Sequence, residues 1–367
     1  MNKDCSSPTA LYLHIPFCQR LCPYCDFPKM LHFPMLVDEY LTALESELFY
    51  YRPQNLKTIY IGGGTPTSLT LEEFKRMLDI LAPYTQGVIE FTLEANIENA
   101  TKAKLALAKS YGVNRLSFGI CSFEAQVLKK IGRRHDFSLV KDKIQEARSL
   151  GFNNINLDLI YGLPGQDLAI WQKDVDRALK LNVEHLSAYS LLIAENTPFY
   201  AQKVPVQTDE AAREFYDYLL NEMRAHGYAR YEVSAFAKPR QESLHNLTYW
   251  ECRPYYGVGL GASGYFNGRR YTNTKKIKDY IKGHYFGSEE VLTPEQIEAE
   301  FIYLHLRLSN GFSLAEYQKR FGGNFLLKYQ KGLEDLSATG LYQSAAGRFF
   351  LTDEGMMKLD YFFTHLE

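Results

Sequence analysis

The sequence contains no apolar run long enough to span a bilayer, and its opening residues, Met1 to Pro8, carry no hydrophobic stretch of the kind a signal peptide needs. Both absences lead to the expectation of a cytoplasmic protein, with at most peripheral contact to a membrane-bound partner. An excess of charge of one sign is missing too. The formal net charge is −2 over 367 residues, so no global field draws the chain to nucleic acid or anionic lipid. No internal repeat or low-complexity tract stands out. Cysteine is sparse: six residues, at positions 5, 18, 22, 25, 121 and 252, do not look like a disulfide framework in so long a chain. Asn246-Leu-Thr248 matches a glycosylation sequon that stays silent without secretion.

What is present is a hydrophobic content of 46%, ample for a core, and a length that suits two or three domains or one barrel with appendages. Aromatic content is 14%, with 27 tyrosines, which suits flat ligands or packing alike. Three cysteines lie close together in His14-Ile-Pro-Phe-Cys18-Gln-Arg-Leu-Cys22-Pro-Tyr-Cys25-Asp-Phe27, a C-x3-C-x2-C spacing. Three thiolates on one tight loop can hold three irons of a cubane cluster and leave the fourth open to chelate a small molecule, where four-cysteine ferredoxin spacings close every site. That is the arrangement needed to bind S-adenosylmethionine (SAM) and inject an electron into its sulfonium. Zinc would want a fourth ligand, and His14 precedes a proline in an apolar run. Three is an odd number for disulfides.

Six short β-favouring runs recur in the first half: Leu11–Pro16, Thr58–Gly62, Glu90–Glu94, Arg115–Ile120, Asn154–Tyr161 and His185–Ile193. Stretches of helical periodicity alternate with them, near Leu36–Tyr51, Leu71–Leu81, Thr101–Tyr111, Glu124–Ile131 with Ser138–Leu150, and Leu168–Leu181. Such alternation predicts an α/β fold, a parallel sheet with crossover helices closed into a barrel or part of one. The strand ends carry unusual residues: the cysteines after the first, Gly62-Gly63-Gly64-Thr65-Pro66-Thr67 after the second, Glu94-Ala95-Asn96 at the third, Cys121-Ser122-Phe123 at the fourth, Asp158 and Tyr161-Gly162-Leu163-Pro164-Gly165 at the fifth. Any one of them makes an ordinary turn. Together they should converge on one mouth, since chemistry in a β/α barrel gathers at the C-terminal rim.

Beyond Pro198 the pattern changes. Asp209–His226 reads as a helix, Tyr231–Phe236 as a strand, and Ala237 to Asn273 as an irregular aromatic stretch. Gly259-x-Gly261-x-x-Gly264 formally matches a dinucleotide fingerprint, but no clear strand precedes it and no helix pattern follows, so its glycines are read as a tight backbone path over the mouth. A linker is expected near Gly283–Pro294. Helices at Ser313–Phe321 and Asn324–Ser337, a hairpin through Gly347 and a helix from Asp353 then suggest a winged-helix-like module. From residue 295 onward it carries seven Lys/Arg against ten Asp/Glu, the wrong sign for DNA, so a structural or docking role is expected.

These motifs together resemble the radical SAM family, and more narrowly the branch of oxygen-independent coproporphyrinogen III oxidase and the related heme chaperones. The resemblance covers essentially the whole chain. It implies a partial (β/α)6 barrel, TIM-like, over residues 1–200, an α+β extension over 201–290 covering the barrel mouth, and a small winged-helix-like domain over 291–367. It implies a [4Fe-4S] cluster on Cys18, Cys22 and Cys25. It places Tyr12 beside cluster and SAM, Tyr24 at the adenine region, Gly63, Gly64 and Thr65 at the amino-acid end of SAM, Glu94 at its ammonium, Arg133 at its carboxylate and Asp158 at polar groups of the nucleoside, pairings that obey charge complementarity. Cys121 stands where the family usually has glutamine. A thiol is a poor substitute for an amide, and Cys121 reads as a neutral filler at that contact rather than a fourth cluster ligand.

Within the branch, the oxidases have a further cysteine where this chain has Phe27, and a longer N-terminal segment. The chaperones have an HNxxY motif implicated in heme binding, here His245-Asn246-Leu-Thr-Tyr249. The resemblance therefore favours a protein that binds heme through His245, Asn246 and Tyr249 and delivers it to a respiratory hemoprotein, at the membrane or elsewhere. The alternatives are oxidative decarboxylation of coproporphyrinogen III to protoporphyrinogen IX, or a radical SAM reaction on an unrelated substrate.

Overall fold

Six parallel strands, laid side by side in chain order, form the centre of the computed structural model, which describes residues 7–366. The leader reading of residues 1–6 lies outside them. The strands are β1 (Ala10–Ile15), β2 (Thr58–Gly63), β3 (Glu90–Ala95), β4 (Arg115–Cys121), β5 (Ile155–Tyr161) and β6 (His185–Ser190). The first five match expectation within one residue at each end; the sixth stops at Ser190 rather than Ile193. Helices α1 (Pro34–Tyr51), α2 (Leu71–Leu81), α3 (Lys102–Ser110), α4 (Ala125–Lys130), α5 (Phe137–Ser149) and α6 (Leu168–Lys180) connect them. Their starts are chemically marked. The side chains of Thr70, Thr101, Asp136 and Asp167 each accept the backbone N–H three residues on, satisfying a donor the helix leaves free, and Glu73 completes a capping box with Thr70.

The strands have two faces. Leu11, Leu13, Ile59, Ile61, Phe91, Leu93, Leu116, Phe118 and Leu157 belong to the large hydrophobic core. The residues alternating with them are polar and bond to one another across the barrel lumen: Tyr60 to Glu94, Ser117 and Asn156 to Asp158, His185 to Asn156. Period two thus sorts an oily layer from a polar interior.

Beyond residue 200 the chain continues the same sheet, with no break in the core at that point: Phe215, Leu219, Phe236, Val258 and Tyr280 belong to the hydrophobic cluster that begins at Leu11. Helix α7 (Asp209–Ala225) packs on α6. The single strand expected at Tyr231–Phe236 is instead a tight hairpin, β7 (Ala229–Glu232) and β8 (Ala235–Ala237), with β8 antiparallel to β6. The stretch expected to be irregular holds helix α8 (Leu244–Trp250) and strands β9 (Tyr255–Val258), β10 (Ser263–Phe266) and β11 (Arg269–Asn273). The expected linker holds an edge strand, β12 (Phe286–Val291). β9 runs parallel to β1, and β10 to β12 add antiparallel, giving twelve strands in the order β12-β11-β10-β9-β1-β2-β3-β4-β5-β6-β8-β7. A strand does therefore precede Gly259, against the sequence reading. An antiparallel strand rather than a helix follows it, so the dinucleotide fingerprint still has no phosphate-binding helix N-terminus.

The C-terminal part has its own core, from Phe301 to Leu366. Helix α9 (Pro294–His305), which the sequence reading missed, leads into α10 (Leu314–Phe321). The single helix expected at Asn324–Ser337 breaks into Phe325–Lys328 and Gln330–Leu336, and a three-stranded sheet, β13 (Phe312–Ser313), β14 (Tyr342–Ala345) and β15 (Arg348–Leu351), completes the winged-helix-like arrangement.

Candidate functional site

The C-terminal strand ends enclose a cavity of about 400 Å³. Eight of the nine residues nominated as cofactor contacts line it: Tyr24, Gly63, Gly64, Thr65, Glu94, Cys121, Arg133 and Asp158, with Cys25 at its edge. The ninth, Tyr12, does not. Its hydroxyl donates to His14 Nδ1 (3.0 Å), because His14 Nε2–H is given to the Pro28 carbonyl (2.7 Å), and its ring lies against Tyr60.

The glycine run is demanded by close approach. A Cβ on Gly62 would meet the Glu94 carboxyl at 2.8 Å, and one on Gly64 the Pro16 carbonyl carbon at 2.8 Å. Gly63 adopts φ 112°, and a Cβ there would strike the His14 ring. The strand end can thus lie against the cysteine loop and under the cavity at once.

Glu94 accepts hydrogen bonds from Tyr60 (2.7 Å) and the Gly63 amide (3.2 Å), and burial pushes its carboxyl up to about 7. Asp158 accepts from Ser117 (2.9 Å) and Asn156 (2.8 Å) and is also raised by burial. Arg133 donates to Asn96 (3.0 Å) and the Gly119 carbonyl (2.6 Å), while its Nε, buried, finds no partner. Two carboxyls and a guanidinium with a spare donor therefore face one space, a donor set that fits a zwitterionic amino acid joined to a polar nucleoside. Cys121 sits at a bulge in β4 with φ 67°, 3.2 Å from the Tyr24 hydroxyl, and burial pushes its thiol up. Its setting is that of a neutral thiol.

Cys18 is buried, 3.8 Å from the Thr65 hydroxyl, and Cys22 and Cys25 are half-buried on the same loop. Burial pushes the Cys18 thiol up to about 11, with Cys22 and Cys25 close enough to add to the effect. Among the described residues no three His, Cys, Asp or Glu side chains are already drawn together as a cage for a single metal ion. The donor chemistry still fits a thiolate-held cluster: three thiols on one loop, free of strong acceptors, with protons that a soft metal displaces.

His245 lies elsewhere. The HNxxY motif forms α8, which closes the N-terminal end of the barrel, not the mouth where the extension was expected to place it. His245 is fully buried. Its Nδ1 shares a hydrogen bond with Thr58 (2.9 Å) and its Nε2 with Tyr249 (2.7 Å), its ring lies against Tyr60, and burial with Arg115 nearby pushes it down to about 3. Both nitrogens of this neutral imidazole are engaged. Asn246 and Tyr249 are half-buried on the same helix. The physical reason is Glu90, at the foot of β3, whose carboxylate accepts the Leu244 and His245 amides (2.9 Å each) and pins the helix there.

Four polar residues of the site were not nominated from sequence. Asn96 donates to Thr65 (3.1 Å) and receives Arg133; Tyr60, Ser117 and Tyr189 line the cavity. Asn96 stood in the quoted end of the third strand, and Tyr60 shares the face of Gly62 by alternation, so both carried a signal.

The sequence matches the radical SAM superfamily over residues 12–178 and the HemN C-terminal domain over residues 292–357. It is 42% identical over 366 residues to the heme chaperone HemW of Bacillus subtilis (strain 168), an alignment spanning 94% of this chain and 96% of that protein. It is 33% identical over 367 residues to the heme chaperone HemW of Escherichia coli (strain K12), spanning 96% of each. The solved structure of coproporphyrinogen III oxidase (HemN) from Escherichia coli shares the fold, with a TM-score of 0.86 over 98% of this chain and 90% of that one at 22% identity. With identity of this order along almost the whole length, the chain belongs to the HemW family of radical SAM proteins.

Proposed function

We propose that this chain is a heme chaperone that carries a [4Fe-4S] cluster and SAM, binds heme, and hands it to a respiratory hemoprotein. The observation that carries the cofactor half is the convergence of eight nominated residues on one cavity at the rim of the sheet. The heme half is supported by the function named for relatives that align along nearly the whole chain. Cys18, Cys22 and Cys25 would hold the cluster, which when bound supplies an electron to a chelated sulfonium. Glu94 would receive the ammonium of SAM, Arg133 the carboxylate, Asp158 the polar groups of the nucleoside, and Tyr24 would lie at the adenine. Gly63 and Gly64 would let backbone approach the amino-acid end. The Thr65 hydroxyl, already donating to the Gly64 carbonyl (2.6 Å) and accepting from Asn96, would fix the loop more than it would bind. Among the described residues no helix is long and apolar enough to cross a membrane, so contact with a membrane-bound acceptor would be peripheral.

Heme ligation by His245 requires α8 to lift from the barrel floor, since iron would take a nitrogen now bonded to Thr58 or Tyr249. A neutral imidazole and a phenol are both suitable axial ligands once exposed. Anaerobic heme titration of the cluster-reconstituted protein, followed in the Soret region, tests the proposal. Saturable binding is expected, weakened in His245→Ala/Tyr249→Ala with the iron-sulfur absorbance retained. Undiminished affinity in that double variant removes both residues as ligands. Weak, unsaturable binding in the wild type removes the heme reading, and turnover of coproporphyrinogen III would then favour the oxidase. Replacing Cys18, Cys22 and Cys25 with alanine should abolish the iron-sulfur absorbance; its survival would place the cluster elsewhere.

A further inference from the structure

A second cavity, of about 280 Å³, lies between the last strands of the large sheet and the C-terminal domain. Its walls are the rings of Tyr249 on α8, Tyr255 on β9 and Tyr265 on β10, and the aliphatic side chains of Ile297 and Leu304 on α9. The Tyr249 and Tyr255 rings meet edge to face, with centroids 4.6 Å apart. Three guanidiniums also line it, from Arg253, from Arg270 on β11 and from Arg320 on α10, against one carboxylate, Glu300. Arg253 is paired with Glu251, and Arg270 gives one Nη to Glu300 (2.6 Å), keeping other donors to spare. Arg320 is half-buried and rests over the rings of Phe301 and Phe321, 5.3 and 5.7 Å from their centroids. Among the described residues no carboxylate or carbonyl takes its N–H groups. Cys252 is not a ligand here: its thiol donates to the Glu300 carbonyl (3.6 Å), and burial pushes it up to about 12. A half-buried cation with free donors, set among aromatic and aliphatic walls, suits a flat apolar molecule that carries a carboxylate.

We infer that this cavity receives the propionate edge of heme, with Arg320 as the residue that binds a carboxylate and Arg270 supplying further donors. The inference rests on the heme reading above and gives it a place in the fold. Tyr249 lines the cavity while its hydroxyl engages His245 Nε2 (2.7 Å), so the imidazole lies directly behind one wall. The volume is small for a whole macrocycle. Helix α8 both covers His245 and supplies part of that wall, so the lift that frees the imidazole also widens the cavity. The C-terminal domain then has a task that its acidic balance had left open: α9 and α10 carry Ile297, Leu304 and Arg320, which hold the ligand against the sheet.

The test compares heme with its dimethyl ester, in which both carboxylates are masked. Each is titrated into the anaerobic, cluster-reconstituted full chain in the same solvent and followed in the Soret region. The wild type should bind heme more tightly than the ester. Arg320→Gln should lose about tenfold in heme affinity, the effect of one charge-assisted pair, and nothing in affinity for the ester. Thermal unfolding, recorded in parallel, reports the fold separately, and Arg320→Met serves as the neutral variant where Arg320→Gln does not fold. A neutral variant that loses equally for heme and ester, or loses for neither, overturns the inference and leaves the heme reading standing. A wild type that binds heme saturably but no better than the ester overturns it as well. Absence of saturable heme binding in the wild type overturns the heme reading and the inference with it.

Discussion

Gly64 shows what single residues contribute to the site. Its missing side chain lets the end of β2 touch the backbone of the cysteine loop, with Pro16 and Phe17 in the way of any Cβ. Backbone atoms cannot swing aside as a lysine tip can. Gly64→Ala should therefore displace the loop, lowering iron bound per chain after reconstitution and costing about 1–3 kcal/mol of stability, the usual range for overpacking. Iron content and urea unfolding measure the two effects; full iron incorporation would show that the loop adapts. At this scale the sequence was most legible where chemistry or sterics permit few residue types. Three thiols, three glycines and the charged ends of β3 and β5 could be read as a site because bland roles rarely put them in register. Asn96 stayed hidden because an asparagine after a strand reads as a turn. His245 was legible as a motif residue but not as a buried one, since its partners Thr58 and Glu90 lie more than 150 residues away.

Among the elements, α8 is the one whose position matters most for the proposed cargo. Its seven residues are too few to hold as a helix alone. The Ser243 cap and the Glu90 carboxylate fix its start. Glu90→Gln would turn an amide N–H₂ toward one of two backbone donors, a loss of about 1–3 kcal/mol. Hydrogen exchange at the Leu244 and His245 amides should accelerate. If the helix must lift to expose His245, heme uptake should become faster as well. Unchanged exchange would show that Ser243 and packing suffice, and accelerated exchange with unchanged uptake would place heme elsewhere. The elements that sequence reading recovered are those with one buried and one contrasting face, β1 to β6 and α1 to α7. Those it lost have no such contrast. Every residue of β12 is exposed, so no alternation marks it. β9 to β11 are rich in tyrosines, glycines and arginines, and β9 takes its parallel partner, β1, from the far end of the sequence, although β10 and β11 pair as a local hairpin.

For the molecule as a whole, buried titratable groups pull stability in opposite directions. Burial raises Glu47, Glu94 and Glu232 from 4.5 to about 7. The folded chain keeps protons there that the unfolded chain has released. Stability from these three is therefore fully present below about 4.5 and lost as pH rises through about 7. Burial lowers His14 and His305 from 6.5 to about 4 and His245 to about 3, with His185 well below its usual value. There the unfolded chain binds the extra protons, so stability is lost as pH falls from about 6.5 toward 4. Between pH 5 and 6.5 the two sets oppose, and the wild type should show only weak pH dependence. Glu47 can be taken out of this balance without touching the cavity. Its carboxyl joins α1 to the far end of the sheet, accepting from Gly259 (2.9 Å), Asn273 (2.6 Å) and Tyr280 (2.5 Å). Glu47→Gln removes one group of the set that weakens with rising pH. Its stability should climb between pH 5 and 7 relative to the wild type, by an amount on the order of 1–3 kcal/mol. Urea unfolding at the two pH values measures the difference between the slopes. Parallel curves would mean that Glu47 is ionised in the folded chain, its charge held by those three donors against burial.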